Sequence, residues 1–505
     1  MKKIISFIML LLIGFILIGC EENDGEKLAE LFPQNDIYYS LFVRSFADSD
    51  GDGIGDLNGV RENLDYLVDL GITAIWLLPI NPSPTYHGYD VTDYKAINPD
   101  YGTMADFDNL VKEAEAKGIK IMLDLVINHT SDQHPWFMEA KKGVNNPYRD
   151  YYLWTSETKA YETFVGGMVD LNLNNEKVVS EIKEIVDFYL EKGVLGFRLD
   201  AAQHFFDNPA ETAVTIKNII FLNDLNSYVK EKAPNSFIVG EVFVSDPYVT
   251  SRYFGSLDAV FNFYLQQAIV DKVIVGGSSY LFVNNLLRSY QEILAYDPYF
   301  VDAPFISNHD MDRIASKVTD LDKLKLGVRT LLTLPGSPFI YYGDEIGLKG
   351  KRYEGDRING RVVYDEYRRQ PFLWGDERET SWLASDGSNQ DTKNINIQKD
   401  DPNSLYNTYR EFIEIRKNNI ALMYGNTLYE YKDNTSKLQG YVIVLDEGKY
   451  QQAVLVLHNL GGEEITLELN YKKLIYGNGL KIGPKQSALY ELDFNELENY
   501  VNVFN

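Results

Sequence analysis

Lys120-Ile-Met-Leu-Asp-Leu-Val-Ile-Asn-His129 is the stretch that decides the fold. It is a short, β-rich apolar run that ends in polar residues, and similar runs alternate with helical patterns from Asp36 onward. This alternation predicts βαβ units and a parallel sheet. The predicted strands are Ile37–Arg44, Ala74–Pro79, Lys120–Val126, Gly196–Asp200, Phe237–Glu241, Ala259–Phe263, Pro304–Ser307 and Pro338–Tyr342. Eight such strands indicate a closed barrel.

Two stretches depart from this alternation. Residues 130–171 form a long connection rich in Trp, Tyr and Gly, which is typical of an inserted subdomain. After a helical segment at 409–417, alternating strands such as 440–445, 452–458 and 465–469 predict a separate antiparallel domain.

The predicted fold class is therefore α/β, a (β/α)8 TIM barrel with a subdomain inserted after strand 3 and a C-terminal antiparallel β-sandwich domain. The expected boundaries are 36–129 and 173–417 for the two parts of the barrel, 130–172 for the inserted subdomain B, and 418–505 for the C-terminal β domain.

The first residues have the pattern of an export signal. Lys2 and Lys3 precede an apolar run at 4–18 that is short for a spanning helix. Cys20, the only cysteine, follows small and apolar residues as in a bacterial lipobox. We expect a lipoprotein signal peptide at 1–19, lipidation of Cys20, a tether at 20–35, and export to the bacterial cell membrane or cell surface.

The charge of the chain excludes one class of function. There are 74 Asp and Glu against 48 Lys and Arg, a formal charge of −26. Such a surface lacks the basic footprint of a nucleic-acid-binding protein and suits a neutral substrate. We expect a monomer that binds no nucleic acid and meets the membrane through its lipid anchor.

Polar residues collect where the predicted barrel strands end. Catalytic groups of (β/α)8 barrels lie at the carboxyl ends of their strands. The residues found there are Asp124, Asn128, His129, Arg198, Asp200, Glu241, Asn308, His309 and Asp310. So many ionisable groups at one face indicate an active site.

These segments resemble, in order, the sequence regions of the α-amylase superfamily of glycoside hydrolases. The matching stretches are 124–130, 196–204, 240–243 and 305–310, with further matches at 87–94, 101–103 and 335–345. The resemblance implies a retaining enzyme that acts on α-glucosidic bonds. It implies Asp200 as nucleophile, Glu241 as general acid/base and Asp310 as transition-state stabiliser.

The same resemblance implies residues that bind the substrate. Arg198 would keep Asp200 ionised by charge pairing, and Tyr89 would be a stacking platform for the sugar. His87, His129 and His309 would contact the sugar, and His204 would contact the leaving-group side. A lysine commonly precedes the residue at the position of His204; Gln203 stands there in this chain, which puts that contact in doubt.

A loop after the first strand indicates a calcium site. Asp48-Ser-Asp50-Gly-Asp52-Gly-Ile54-Gly-Asp56 alternates carboxylates with glycines, as a hard, oxygen-binding cation requires. The loop resembles the calcium loop of many superfamily members, with Ile54 contributing a carbonyl; an acidic surface turn is the other interpretation. Asn128 would serve a second calcium together with the His204 carbonyl.

The substrate is predicted less sharply than the mechanism. Ala201 after the nucleophile is small, as in members that act on α-1,4 bonds, and Met168-Val-Asp-Leu-Asn172 is intermediate between patterns of the two bond types. We expect hydrolysis of α-1,4 bonds in starch and malto-oligosaccharides. The alternatives are a cyclomaltodextrinase, neopullulanase or oligosaccharide α-glucosidase activity, transglycosylation, and a non-catalytic glucan-binding surface lipoprotein.

Overall fold

The computed structural model describes residues 35–207, 213–276, 282–297 and 300–502, so the predicted signal peptide, Cys20 and the tether up to Gln34 lie outside the described residues. The strands are β1 Tyr38–Leu41, β2 Ala74–Leu77, β3 Lys120–Leu125, β4 His129–Ser131, β5 Met168–Asp170, β6 Gly196–Leu199, β7 Phe237–Gly240, β8 Ala259–Val260, β9 Phe339–Tyr341, β10 Asp356–Ile358, β11 Arg361–Val363, β12 Thr427–Glu430, β13 Leu438–Glu447, β14 Tyr450–Asn459, β15 Ile465–Thr466, β16 Lys473–Tyr476, β17 Lys481–Ile482 and β18 Ser487–Glu491.

The α-helices are α1 Val43–Phe46, α2 Leu57–Glu62, α3 Leu64–Leu70, α4 Met104–Ala116, α5 Pro135–Ala140, α6 Glu176–Glu191, α7 Val214–Lys232, α8 Pro247–Thr250, α9 Phe263–Ala268, α10 Phe282–Leu294, α11 Ile314–Lys317, α12 Leu321–Leu332, α13 Ile395–Asp400, α14 Leu405–Lys417 and α15 Ile420–Tyr424. Within the described ranges, none of the helices combines the length and the apolar character needed to cross a membrane.

The central sheet is the predicted parallel barrel. Its strands are ordered β8-β7-β6-β3-β2-β1-β9, and every neighbouring pair is parallel. The predicted seventh strand is reduced to single parallel bridges, from Ala303 to Phe261 and from Phe305 to Phe339. Because these bridges join the two edges β8 and β9, the ring is closed and the barrel prediction is confirmed.

The chain between the third and fourth barrel strands forms an excursion, a long insertion whose two ends pair with each other. β4 and β5 pair antiparallel, with His129 opposite Asp170. Between them lie α5 and a loop with glycines at 166 and 167 in the left-handed region. The pairing holds both ends of the excursion beside the barrel strand that carries Asp124.

The C-terminal region is antiparallel, as predicted. Five strands are ordered β12-β13-β14-β18-β16, and the short pair β15–β17 shares one buried apolar cluster with them through Leu455, Leu467 and Ile482. The strand expected at 465–469 is shorter than predicted. Only Ile465–Thr466 is a strand, and beyond it a single bond from Leu467 N to Leu480 O continues the pairing.

Arg416 on α14 connects the last helices to the barrel. Its buried guanidinium donates to the carbonyl oxygens of Leu332, Leu334 and Gly336. The last carbonyls of a helix have no partner inside the helix, and α12 ends at Leu332. Arg416 therefore satisfies the end of α12 and the turn that leads into β9.

Replacing Arg416 with Met should destabilise the protein by about 3 kcal/mol or more, because three buried carbonyls lose their donor. Chemical unfolding in urea would measure the change. Arg410→Met on the same helix is the matched control, since the side chain of Arg410 is 53% exposed and pairs with Asp69 at the surface. That control should cost less than about 1 kcal/mol; equal costs for the two variants would contradict the assignment.

Candidate active site

The predicted acids converge because their strands are neighbours in the barrel. β3 pairs with β6 so that Asp124 lies opposite Arg198, and β6 pairs with β7. Asp200 and Glu241 directly follow β6 and β7. Since parallel strands end at the same edge, the three carboxylates surround Arg198.

Arg198 binds all three carboxylates at once. Its Nη1 lies 2.8 Å from Asp200 Oδ1 and 2.9 Å from Asp124 Oδ1, and its Nη2 lies 2.8 Å from Glu241 Oε2. The side chain of Arg198 is 1% exposed, and its guanidinium lies over the ring of Trp76 at 5.2 Å. The guanidinium thus holds the side chains of Asp200 and Glu241 in place.

Burial sets the protonation tendencies of these acids. It raises the pKa of Asp200 and of Glu241, and Arg198 lowers both. The negative charges of Asp200 and Asp310 raise the pKa of Glu241 further. The ion pair that we expected to keep Asp200 ionised is present, and it opposes the effect of burial.

Asp310 has a different environment from the other acids. Its carboxylate contacts His309 Nε2 at 3.1 Å and Arg369 Nη2 at 3.0 Å. Partial burial would raise the pKa of Asp310, but His309 and Arg369 lower it well below its usual range. Asp310 is therefore ionised while Glu241 tends to hold its proton, which divides the acids into two roles.

Tyr89 connects several of the predicted substrate-binding residues. Its hydroxyl lies 2.6 Å from His309 Nε2 and donates to Asp124 Oδ2 at 3.1 Å. The rings of Tyr89 and His309 are stacked with centroids 5.5 Å apart. The backbone of Tyr89 contacts both His87 and His129, through its N–H at 3.1 Å and its carbonyl at 3.2 Å. Burial lowers the pKa of His129 to about 4, so that its imidazole is neutral.

His204 lies at another wall of the site. Its Nδ1 contacts Asp207 Oδ2 and its Nε2 contacts Gln203 Nε2, both at 2.8 Å. Phe164, from the loop between β4 and β5, packs against the rings of both His129 and His204. Gln203, which stands where lysine is common, is thus bound to its neighbour His204.

An open cavity of about 400 Å³ adjoins Asp310. Phe243, Phe263 and Met311 supply apolar surface to its wall, and Gln266 and Arg368 supply polar groups. The ring of Phe243 is 57% exposed and rests edge-on against Phe263. The lining also includes Asp271, Asp312 and Lys317, so the cavity wall combines charged and polar groups with an apolar part.

The acidic loop after β1 brings together three of its four carboxylates. Oxygens of Asp48, Asp50 and Asp56 lie within 4.8 Å of one another. The loop is shaped by its own backbone, since Asp48 accepts N–H bonds from Gly51 and Gly53 at 2.7 Å. Hard oxygen donors at this spacing suit calcium.

Two predicted metal ligands are placed differently. Asp52 is outside that group of three, and its carboxylate accepts the N–H of Ile54 at 2.7 Å. Asn128 directly precedes β4, where its side chain contacts His129 and its carbonyl accepts the N–H of Leu171 at 2.9 Å. Its carbonyl therefore takes part in joining the insertion to the barrel.

Several residues at the site were not predicted from the sequence. Arg369 contacts Asp310, and its Nη1 also binds Tyr86 Oη at 2.7 Å and Asp365 Oδ2 at 3.0 Å. Asp365 and Arg369 lie in the long connection after β9, far in sequence from the strand ends. Their four-residue spacing was the only local signal, and it does not distinguish a site from a surface ion pair. Phe164 carried no signal at all.

Comparison with known proteins agrees with this geometry. The model of the α-amylase catalytic domain family matches residues 40–425. The chain is 41% identical to "Alpha-amylase 3" of Dictyoglomus thermophilum, over 91% of this chain and 93% of that protein. It is 31% identical to "Oligo-1,6-glucosidase" of Bacillus cereus, over 86% of this chain and 91% of that protein.

A solved structure agrees over the same extent. The crystal structure of the α-amylase from H. orenii superposes with a TM-score of 0.80 at 34% identity, covering 91% of this chain and 99% of that one. The matched lengths include the barrel and reach into the C-terminal sheet. The chain therefore belongs to the α-amylase family and is a glycoside hydrolase.

Proposed function

We propose that this enzyme is a retaining α-amylase that cleaves internal α-1,4-glucosidic bonds of starch and malto-oligosaccharides. The observation that carries the proposal is the shared contact of Asp200 and Glu241 with one buried guanidinium. Sharing Arg198 keeps the two carboxyl groups close, as a retaining mechanism requires with its roughly 5–5.5 Å separation.

In the first step, a carboxylate oxygen of Asp200 attacks the anomeric carbon. Glu241 gives its proton to the glycosidic oxygen as the bond to the leaving chain breaks. In the second step, ionised Glu241 takes a proton from water, and the water oxygen replaces Asp200 on the sugar. Burial and the charges of Asp200 and Asp310 raise the pKa of Glu241, which favours the protonated form needed first.

Asp310 is positioned to act on the sugar between these two acids. It stays ionised beside His309 and Arg369, so its charge stabilises the oxocarbenium-like transition state. His309, His129 and His87 lie along Tyr89. His87 is partly exposed and would bind sugar hydroxyls directly, whereas His129 and His309 are 1% and 0% exposed and would meet a sugar only at the surface of the pocket wall. Tyr89 is 9% exposed, so only part of its ring can meet a sugar.

The choice of the α-1,4 bond is supported by two observations. The similarity to an α-amylase is greater than that to an oligo-1,6-glucosidase, at 41% against 31% identity. Ala201 beside the nucleophile is small and only 5% exposed. An oligosaccharide α-glucosidase or cyclodextrin-cleaving activity is the second candidate. The 31% identity to an oligo-1,6-glucosidase favours the oligosaccharide α-glucosidase.

Replacing Glu241 with Gln should lower kcat on soluble starch by about 10²–10⁴-fold, because the leaving oxygen loses its proton donor. The enzyme without residues 1–20, which carries no substitution, should shorten starch chains rapidly and release mixed malto-oligosaccharides. Chromatography of the products over time would measure both. Glu115→Gln, at an exposed position on α4, is the matched control and should leave kcat unchanged.

Parallel incubations with pullulan and cyclodextrin decide between the candidates. Preference for either over starch would keep the mechanism and replace the α-amylase assignment with the second candidate. Cleavage of short malto- or isomalto-oligosaccharides alone would support the oligosaccharide α-glucosidase of the second candidate. Absence of cleavage of all these substrates by the unmodified enzyme would reject catalysis and favour a glucan-binding surface lipoprotein.

We also propose that Asp48, Asp50 and Asp56 hold a structural calcium ion, with the Ile54 carbonyl as a further ligand. The ion would hold the loop together by neutralising carboxylates that otherwise repel each other. At calcium concentrations about 100 times Kd, binding should stabilise the fold by about 2.7 kcal/mol.

Metal analysis after dialysis against millimolar calcium, with thermal unfolding in calcium and in chelator, tests this site. Asp50→Asn should abolish the calcium-dependent shift in Tm. Asp52→Asn is the matched control, because Asp52 lies outside the group of three. Absence of bound calcium in the unmodified protein would remove the proposal. Two bound calcium ions would support the predicted second calcium site at Asn128 in addition to this one.

Export and lipid anchoring at Cys20 are a further proposal, supported by the sequence of residues 1–20 alone. Cells fed a labelled fatty acid should incorporate it into the full chain and retain the enzyme with their membranes. Cys20→Ser should lose both the label and the membrane association. An unlabelled, freely secreted wild type would contradict the anchor.

A further inference from the structure

The residue after the proposed nucleophile has an unusual backbone conformation. Ala201 lies in the left-handed region with φ 49° and ψ 35°. Among the described residues, Asn359 and Lys485 are the other non-glycine residues with positive φ. Alanine gains nothing there from its side chain, so the conformation is imposed by the surroundings and indicates a functional constraint.

The conformation turns two successive amides toward Glu241. The N–H of Ala201 donates to Glu241 Oε2 at 3.1 Å, and the N–H of Ala202 donates to the Glu241 carbonyl at 3.0 Å. Glu241 N in turn donates to Leu199 O at 3.0 Å. The turn after β6 therefore holds both the main chain and the side chain of Glu241. Successive amides in such turns form concave sites for anions.

We propose that Ala201 is a positioning residue for the general acid/base, whose left-handed backbone directs an N–H to Glu241 Oε2 and so leaves the catalytic proton on Oε1. This inference rests on the proposed role of Glu241. It deepens that role by naming the oxygen that carries the proton.

The oxygen follows from the donors around the carboxyl group. Oε2 receives the Ala201 N–H and lies 2.8 Å from Arg198 Nη2, a permanent cation. A proton on Oε2 would point at these two donors, so the neutral acid carries its proton on Oε1. From Oε1 the proton passes to the glycosidic oxygen as the bond to the leaving chain breaks and Asp200 bonds to the sugar.

The amide also acts on the acidity of Glu241. A hydrogen bond to the ionised form lowers the pKa, in opposition to burial and to the nearby carboxylates. Loss of the amide must therefore raise the pKa of Glu241. The alkaline limb of kcat/KM against pH, which reports the protonated acid in the free enzyme, must then move to higher pH.

Side chains at position 201 separate this role from simple packing. Glycine adopts a positive φ without strain and keeps the N–H. Valine is strongly disfavoured there because it is β-branched, so it should strain the turn that holds the amide in place. A lactic acid residue at 201, which turns the amide into an ester, deletes the donor and keeps the methyl group.

The experiment measures kcat/KM against pH for two aryl α-maltosides, a phenyl glycoside whose leaving group needs a proton and a dinitrophenyl glycoside whose leaving group does not. For Ala201→Val and for the ester, the alkaline limb measured with the phenyl glycoside should move to higher pH by roughly one unit. The plateau should fall roughly tenfold, while the dinitrophenyl substrate should be affected much less. Ala201→Gly, which keeps the N–H, should leave the alkaline limb at the pH where the wild type has it.

Lys485→Val is the matched control for strain, because Lys485 has φ 57° and lies in the C-terminal sheet region. It should lower Tm without changing either pH profile. If Ala201→Val does not fold, the ester and the glycine variant decide the question. An ester variant with an unchanged alkaline limb, or with equal losses on both substrates, would overturn the proposal. Full activity of Glu241→Gln on the phenyl glycoside would instead reject the proposed function itself.

Discussion

A single buried guanidinium holds the catalytic face of this enzyme together. Three carboxylates on three adjacent barrel strands lie against Arg198, which is 1% exposed. One cation and three anions cannot all stay ionised in a medium of low polarity, since each unpaired buried charge costs several kcal/mol. Burial raises the pKa of Asp124 to about 7, and it also raises the pKa of Glu241, the proposed general acid.

The barrel makes this concentration of charge possible. Its parallel strands bring the ends of β3, β6 and β7 side by side, while the stacked rings of Tyr38 and Phe339 and the packing around Trp76 fill the interior. The charged layer therefore rests on a rigid apolar layer, which keeps the distances between the acids constant. The open cavity adjoins this charged layer at Asp310.

The connections between strands complete the site and distinguish the acids from one another. The excursion between β4 and β5 brings Phe164 against His129 and His204. The connection after β9 brings Arg369 to Asp310, whose pKa is lowered while that of Glu241 is raised. The two carboxyl groups thus differ in pKa, partly through Arg369, which no barrel strand carries.

The sequence by itself determined the barrel and the set of acids at the strand ends. These follow from local patterns, because a run of buried residues predicts a strand and parallel strands end at one edge. It also indicated the acidic loop, three of whose carboxylates the structure brings together. The weak seventh strand and the shortened strand at 465–469 were not predictable, since pairing length depends on neighbours that are remote in sequence.

Only the tertiary structure decided how these groups act on one another. Arg369 lies 59 residues from Asp310 in the chain, and no local period connects them. The left-handed backbone of Ala201 cannot be inferred from alanine, which prefers other conformations; it is imposed by the bonds to Glu241 on the next strand. Asp52 has the same spacing as its neighbours in the acidic loop but turns its carboxylate to the backbone. The spacing of residues along the sequence indicates which side chains are available to form a site, whereas long-range packing determines which atoms come into contact.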